Sequence, residues 1–290
     1  ADETFRRERA VFLSALTGGA RTPGQCEAKL RRQDEELAAC REFPETVLWF
    51  DACLYDQTIL VHLLDRLAGE RARLSLLCVG EYPGFEAFHG LGELDAAQLA
   101  GLLPQRVPVT PAMLDLARRA WQALAAGTPL AVARLAAGDT AALPFLGAAL
   151  RRFLEQFPGR EGGLDRLERE ALAAIAAGAA SPIAVFRAVS AAEARPFFGD
   201  TFLWSCLNRL AAAPHPLVAI AGPEPRLPQW GAFEAKRWCL GLTAAGERVL
   251  AGEADAVELN GIDRWLGGTH LRPGNVWRWD GTRQELVPPF

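Results

Sequence analysis

The chain has 290 residues, 50% of them hydrophobic and 23% charged, a length that suits two domains and a composition ordinary for a globular protein. Its formal net charge of −4 argues against nucleic acid or an anionic membrane as a bulk electrostatic partner. No apolar run approaches the roughly 18 residues that span a bilayer, and the opening ADETFRRERA is too charged for the apolar core of a secretory leader.

Residues 3–41 alternate charge over a helical period and read as one or two amphipathic helices broken at TGGARTPG. Residues 46–51 (TVLWFD) form a short apolar run ending in an acid and read as a buried strand. Residues 74–80 (LSLLCVG) read as a second strand, and a helix over about 56–68, ended by Gly69, joins the two. Such a strand–helix–strand unit implies a parallel pair with a right-handed crossover. A glycine-rich stretch, EYPGFEAFHGLGEL, follows. Helix-period segments then cover 95–103, 111–126, 129–137 and 140–157, and Thr110-Pro111 supplies an N-cap with proline in the first helical position.

The GREGG stretch at 159–163 is the best linker, so residues 1–158 are expected to form a helix-rich α/β domain with a small parallel sheet. Beyond it, LDRLEREALAAIAAG, SPIAVFRAV and DTFLWSCLNRLAAA read as three helices. PLVAIAG and RWCLGLT read as a hairpin, and TAAGERVLAG as a closing helix. That order predicts a winged-helix-like α+β domain over 159–254. The remainder, 255–290, carries Trp265, Trp277 and Trp279 within a short span, which predicts a tail docked on the protein. The cysteines, at 26, 40, 53, 78, 206 and 239, include no CxxC pair. If Cys26 and Cys40 share one helix, a rise of about 1.5 Å per residue sets them roughly 21 Å apart, beyond disulfide reach. This usage points to a reducing, cytoplasmic setting.

Three segments, VLWFDACLYDQ, LSLLCVGEYPGFEAFHGLGEL and LNGIDRWLGG, together resemble a bacterial family known as domain of unknown function 1835, with similarity running from about residue 6 to 280. The resemblance implies no particular activity, substrate or cofactor. It does imply departures: relatives carry Glu-His-Asp where this chain has Asp51-Ala52-Cys53. Relatives also open with a strand ending in an Asn-Gly-Asp-Ser turn, upstream of where this chain begins, which implies either a truncated chain or a sheet built differently, without that strand and a wall of the crevice.

A strand that delivers polar groups into a turn before a helix is how open α/β sheets build ligand crevices. Asp51, Tyr55, Asp56 and Gln57 are therefore candidate lining residues, with Glu81 arriving from the end of the second strand and His89 from the glycine-rich loop. Carboxylates and a histidine at one sheet edge could divide acid and base roles or hold a cation. Each has a structural alternative: Asp56 reads first as a helix cap, His89 as a loop histidine bonding backbone, and Cys53 as a buried thiol. No phosphate loop, dinucleotide fingerprint or metal-ligand motif is present, so no cofactor or metal is assigned. In the winged-helix-like segment, Asn208, Arg209, Lys236 and Arg237 are the DNA-binding candidates. The helix carrying the first two is mostly apolar, which favours a structural or protein-docking role. The leading expectation is a small molecule bound at the strand ends, with acid–base or metal-assisted hydrolysis as the chemistry those residues suit. The alternatives are a ligand-sensing transcriptional regulator and an interaction scaffold without catalysis. The oligomeric state stays open.

Overall fold

The structure, a computed structural model, describes residues 3–69, 73–86 and 88–289; Ala87 of the glycine-rich loop lies outside the described residues. In chain order the elements are α1 (Glu3–Leu16), α2 (Pro23–Ala38), β1 (Thr46–Asp51), α3 (Leu54–Leu67), β2 (Leu74–Val79), α4 (Ala96–Leu102) and β3 (Val107–Pro108). Next come α5 (Pro111–Ala125), α6 (Leu130–Ala136), α7 (Leu146–Leu154), α8 (Arg166–Ala176), α9 (Pro182–Ala192) and α10 (Asp200–Ala211). The chain closes with β4 (Val218–Ala221), β5 (Cys239–Leu242), α11 (Ala244–Leu250), α12 (Ala256–Asn260), β6 (Arg264–Leu266), β7 (Thr269–Leu271), β8 (Arg278–Asp280) and β9 (Glu285–Val287). Among the described residues no helix is long and apolar enough to cross a membrane.

Helix starts follow local chemistry. Thr22 and Gln25 bracket the start of α2 in a reciprocal capping box, as Asp95 and Gln98 do for α4. Thr110 caps α5 with Pro111 in its first turn, as the sequence predicts. The helix expected from about residue 56 begins earlier, at Leu54, because Cys53 serves as its cap. The expected helix 140–157 shortens to α7: Thr140–Pro144 folds as turns, and proline at 144 has no N–H to contribute. Cys40 falls outside α2, in a short 3-10 turn over Ala39–Glu42.

Contacts group the chain into two units that cut across the sequence-order segments 1–158, 159–254 and 255–290. One comprises Ala1–Cys40, Leu167–Ala192 and Phe198–Asn260. In it α1 pairs with α2 and touches α10, and Gln229 Nε2 donates to the Leu16 carbonyl at 2.9 Å, tying the N-terminal hairpin to this unit. Its core holds Leu172, Val185, Leu203, Trp204, Leu207 and Leu217, all fully buried. The hairpin β4–β5 is antiparallel with Val218 opposite Leu242. Gly246, in the first turn of α11, lies so close to the Leu217 carbonyl that a Cβ would collide with it.

The other unit comprises Arg41–Arg166, Glu193–Phe197 and Gly261–Phe290. Here β1 and β2 pair in parallel, Leu48 opposite Leu76 and Asp51 opposite Val79. The expected all-parallel pair is corrected in one respect: β3 adds antiparallel to β2, making a small mixed sheet. A two-residue strand is too short to show a period in sequence, and its Pro108 is tolerated because an edge strand need not donate. Strand alternation then sorts the sheet's faces. Phe50 and Cys78 lie toward α3, whose Leu60, Val61 and Leu64 are completely buried. Trp49, Leu77 and Val79 lie on the opposite face under Tyr82, Phe85, Phe88 and Leu94. Residues 261–289 dock on this unit: the Gly268 N–H donates to the Leu124 carbonyl, and Trp279 exchanges backbone bonds with the 158–160 segment. Trp277 and Trp279 are buried, whereas Trp265 is 62% exposed.

Candidate functional site

The sheet's alternation places Asp51 and Val79 together at the carboxyl ends of β1 and β2, on the face covered by the loop after β2. A cleft of about 10 Å³ opens there, lined by Asp51, Ala52, Cys53, Val79, Phe88, His89, Gly90 and Arg195. That is room for one water-sized atom. Of the expected residues, Asp51 and His89 meet at it. Tyr55 is 55% exposed in the first turn of α3, and Glu81 stands exposed beyond β2; neither is among the lining residues.

The turn between β1 and α3 is closed by a ring of three side chains. The Asp51 carboxylate accepts the Cys53 N–H at 2.9 Å. Cys53 Sγ accepts the Asp56 N–H at 3.5 Å, and the Asp56 carboxylate accepts the Asp51 N–H at 2.8 Å. Each side chain thus satisfies a backbone donor that the strand end or helix start leaves open. Gln57, completely buried, extends the arrangement by donating to the Asp51 carbonyl at 2.8 Å and to Cys78 Sγ at 3.3 Å. Asp56 and Gln57 are therefore held inward by the turn.

One ligand atom from each of Asp51, Cys53 and Asp56 lies within 4.8 Å of the others, the spacing of a cation site. The ring of backbone hydrogen bonds accounts for that convergence by itself. Burial pushes the Cys53 thiol up to about 12, with the neighbouring Asp51 and Asp56 charges opposing ionisation further. The Cys78 thiol is pushed by burial to about 11. Burial also raises the Asp56 carboxyl, against the opposing effect of the Asp51 N–H it accepts.

His89 is fixed from one side. Glu93 accepts the His89 backbone N–H at 2.8 Å and lies 3.0 Å from Nδ1. Those contacts, the backbone one foremost, hold the Glu93 carboxyl below the usual range. An ionised carboxylate only accepts, so Nδ1 is the ring nitrogen that can donate to Glu93. Gly90 has φ +142° and ψ 173°, a conformation essentially restricted to glycine, and its Cα sits against the Asp51 carboxylate.

Sequence reasoning missed Arg195. It enters from the segment between α9 and α10, 115 positions from the Gly80 carbonyl to which its NH1 donates at 2.6 Å. Its guanidinium also lies 5.3 Å from the Phe145 ring centroid. The only local signal was a charged residue in a proline-containing break between two helices.

In the other unit, Asn208 donates to the Leu227 carbonyl at 2.8 Å and accepts the Leu227 N–H at 2.7 Å, so its amide pins a loop. Arg209 pairs at 2.7 Å with Glu168, which is buried. Lys236 and Arg237 are exposed on a short 3-10 turn. Two of the four DNA-binding candidates are thus committed to holding the fold.

No protein-family model, curated protein or solved structure matches the chain.

Proposed function

We propose that the unit built on β1 and β2 binds a small polar molecule at the carboxyl ends of these strands, with proton transfer by Asp51 and His89 as the chemistry available to it. One observation carries this reading: a strand end, a glycine-bearing loop and a distant connecting segment bring Asp51, His89 and Arg195 to the same cleft. A carboxylate and an imidazole are the side-chain types that general acid–base chemistry uses. Hydrolysis assisted by a metal is the weaker form of the proposal, because Asp51, Cys53 and Asp56 already serve the turn. The motifs around Asp51 and Glu81, and LNGIDRWLGG, support membership of the family called domain of unknown function 1835. Six cysteines, none of them in a disulfide, support a reducing, cytoplasmic setting.

For the other unit we propose a winged-helix arrangement of α8, α9, α10, β4, β5 and α11, supported by their order and by the antiparallel hairpin. The internal bonds of Asn208 and Arg209 favour a structural or protein-docking role for it over base reading.

The test is a nuclear magnetic resonance screen of the full chain against small polar fragments, following the His89 and Gly90 backbone amides. Fragments that shift both signals, and lose that effect in His89→Ala, are expected. A screen whose hits all lie elsewhere, or that gives none, overturns the cleft reading.

A further inference from the structure

The nature of the ligand follows from Arg195, and this inference rests on the cleft reading just proposed. Several arginines of the same unit meet carboxylates: Arg106 with Glu45 at 3.1 Å, Arg152 with Glu193 at 2.5 Å, Arg166 with Glu155 at 2.7 Å and Arg264 with Asp165 at 2.8 Å. Arg195 does not. One N–H goes to the Gly80 carbonyl, its face rests on Phe145, and among the described residues no carboxylate pairs with it. A guanidinium has five N–H groups and no neutral state in the physiological range, so most of its donor capacity remains for something else.

The group is also held still. Both ends of the 193–197 segment are gripped by Arg152: the buried Glu193 carboxylate takes its N–H groups at 2.5 to 3.1 Å, and the Phe197 ring lies 4.9 Å from its guanidinium carbon. Arg195 sits between those anchors, and Gly80 leaves it space: a Cβ there would collide with Phe145 and come within 3.2 Å of Arg195 NH1. A charge fixed before binding loses little conformational freedom on binding. Much of the surrounding cleft wall is apolar, from Ala52, Val79 and Phe88. The space beside it takes one water-sized atom, which fits a single ligand oxygen with the remainder of the molecule outside.

We infer that Arg195 recognises a terminal oxyanion, a carboxylate or phosphate, on the small molecule bound at the cleft. Asp51 shares the cleft, so a ligand carrying a hydroxyl or amine beside its oxyanion satisfies both charges.

The experiment titrates the full chain with inorganic phosphate and with glycolate, and in parallel with ethanolamine and ethylene glycol as non-anionic comparators. The signals followed are the His89 and Gly90 amides and the Arg195 Nε–H. Phosphate or glycolate is expected to move all three in a saturable way. Arg195→Gln is expected to weaken that binding at least about tenfold, the order of one charge-assisted hydrogen bond, and Arg195→Lys to retain part of it. A response to the comparators alone, a stationary Arg195 Nε–H in the unaltered chain, or undiminished binding in a folded Arg195→Gln variant overturns the inference while leaving the cleft reading in place. Silence of the amides toward all four probes overturns both.

Discussion

Gly90→Ala tests the geometry of the cleft at its tightest point. Gly90 holds φ +142° and ψ 173°, a region that costs a residue with a side chain on the order of 1–3 kcal/mol. Its new methyl would also collide with Asp51 Oδ2 and displace the carboxylate that accepts the Cys53 N–H. Losing that hydrogen bond adds about 1 kcal/mol, so the expected destabilisation is about 2–4 kcal/mol. Urea denaturation followed by far-UV circular dichroism and tryptophan fluorescence measures it. The two contributions separate in a double-mutant cycle. An alanine at position 51 keeps the Cβ, which the added methyl meets at an ordinary 3.9 Å. In an Asp51→Ala background, therefore, Gly90→Ala should cost only the backbone strain, about 1 kcal/mol less than in the unaltered chain. A Gly90→Ala variant within about 0.5 kcal/mol of the unaltered protein would refute the reasoning. Equal costs in both backgrounds would refute the collision.

Glu193→Ala leaves the Arg152 guanidinium, whose side chain is 11% exposed, with only the more distant Glu155 carboxylate at 3.7 Å, and should destabilise the protein by about 3 kcal/mol in the same assay, the low end for a broken buried pair; a loss under about 1 kcal/mol contradicts the assignment. The Arg106 and Ser75 hydrogen bonds hold the Glu45 carboxyl at about 2 against an ordinary 4.5. Because the folded value is the lower one, this stabilisation is present above 4.5 and is lost as pH falls toward about 2. Glu45→Gln should flatten the stability–pH curve in that window, and an unchanged slope there counts against the pair. With thiols pushed to about 12 and about 11, Cys53 and Cys78 should resist iodoacetamide at pH near 8 until urea is added. Exposed Cys239 should be labelled first; peptide mapping that finds Cys53 modified as fast as Cys239 would contradict its burial.

Local interactions were legible in the sequence. The apolar run ending at Asp51, the Thr110-Pro111 start of α5 and the apolar strand at 74–79 are each set by residues a few positions apart. The parallel pairing of β1 with β2 followed from the helix between them. Asp51 and His89 could be named because a strand end and the loop after its neighbour must share an edge. Their partners could not. Arg195 reaches the cleft across 115 positions, from a segment without periodicity, because Glu193 and Phe197 are both held by Arg152. Asn208 looked available for DNA and proved bound to Leu227, 19 positions away. Asp56 and Cys53, read in sequence first as a helix cap and a buried thiol, form with Asp51 a ring of side chains that closes the turn. Sequence alone determined the β1–α3–β2 unit, most of the longer helices and which strand end faces the loop, since backbone propensity and side-chain period act over single turns, whereas the short strands β3 and β6–β9 carried no such signal. Only tertiary structure decided which polar groups are occupied by the fold and which keep donors or acceptors it does not use, because burial and long-range pairing set that balance.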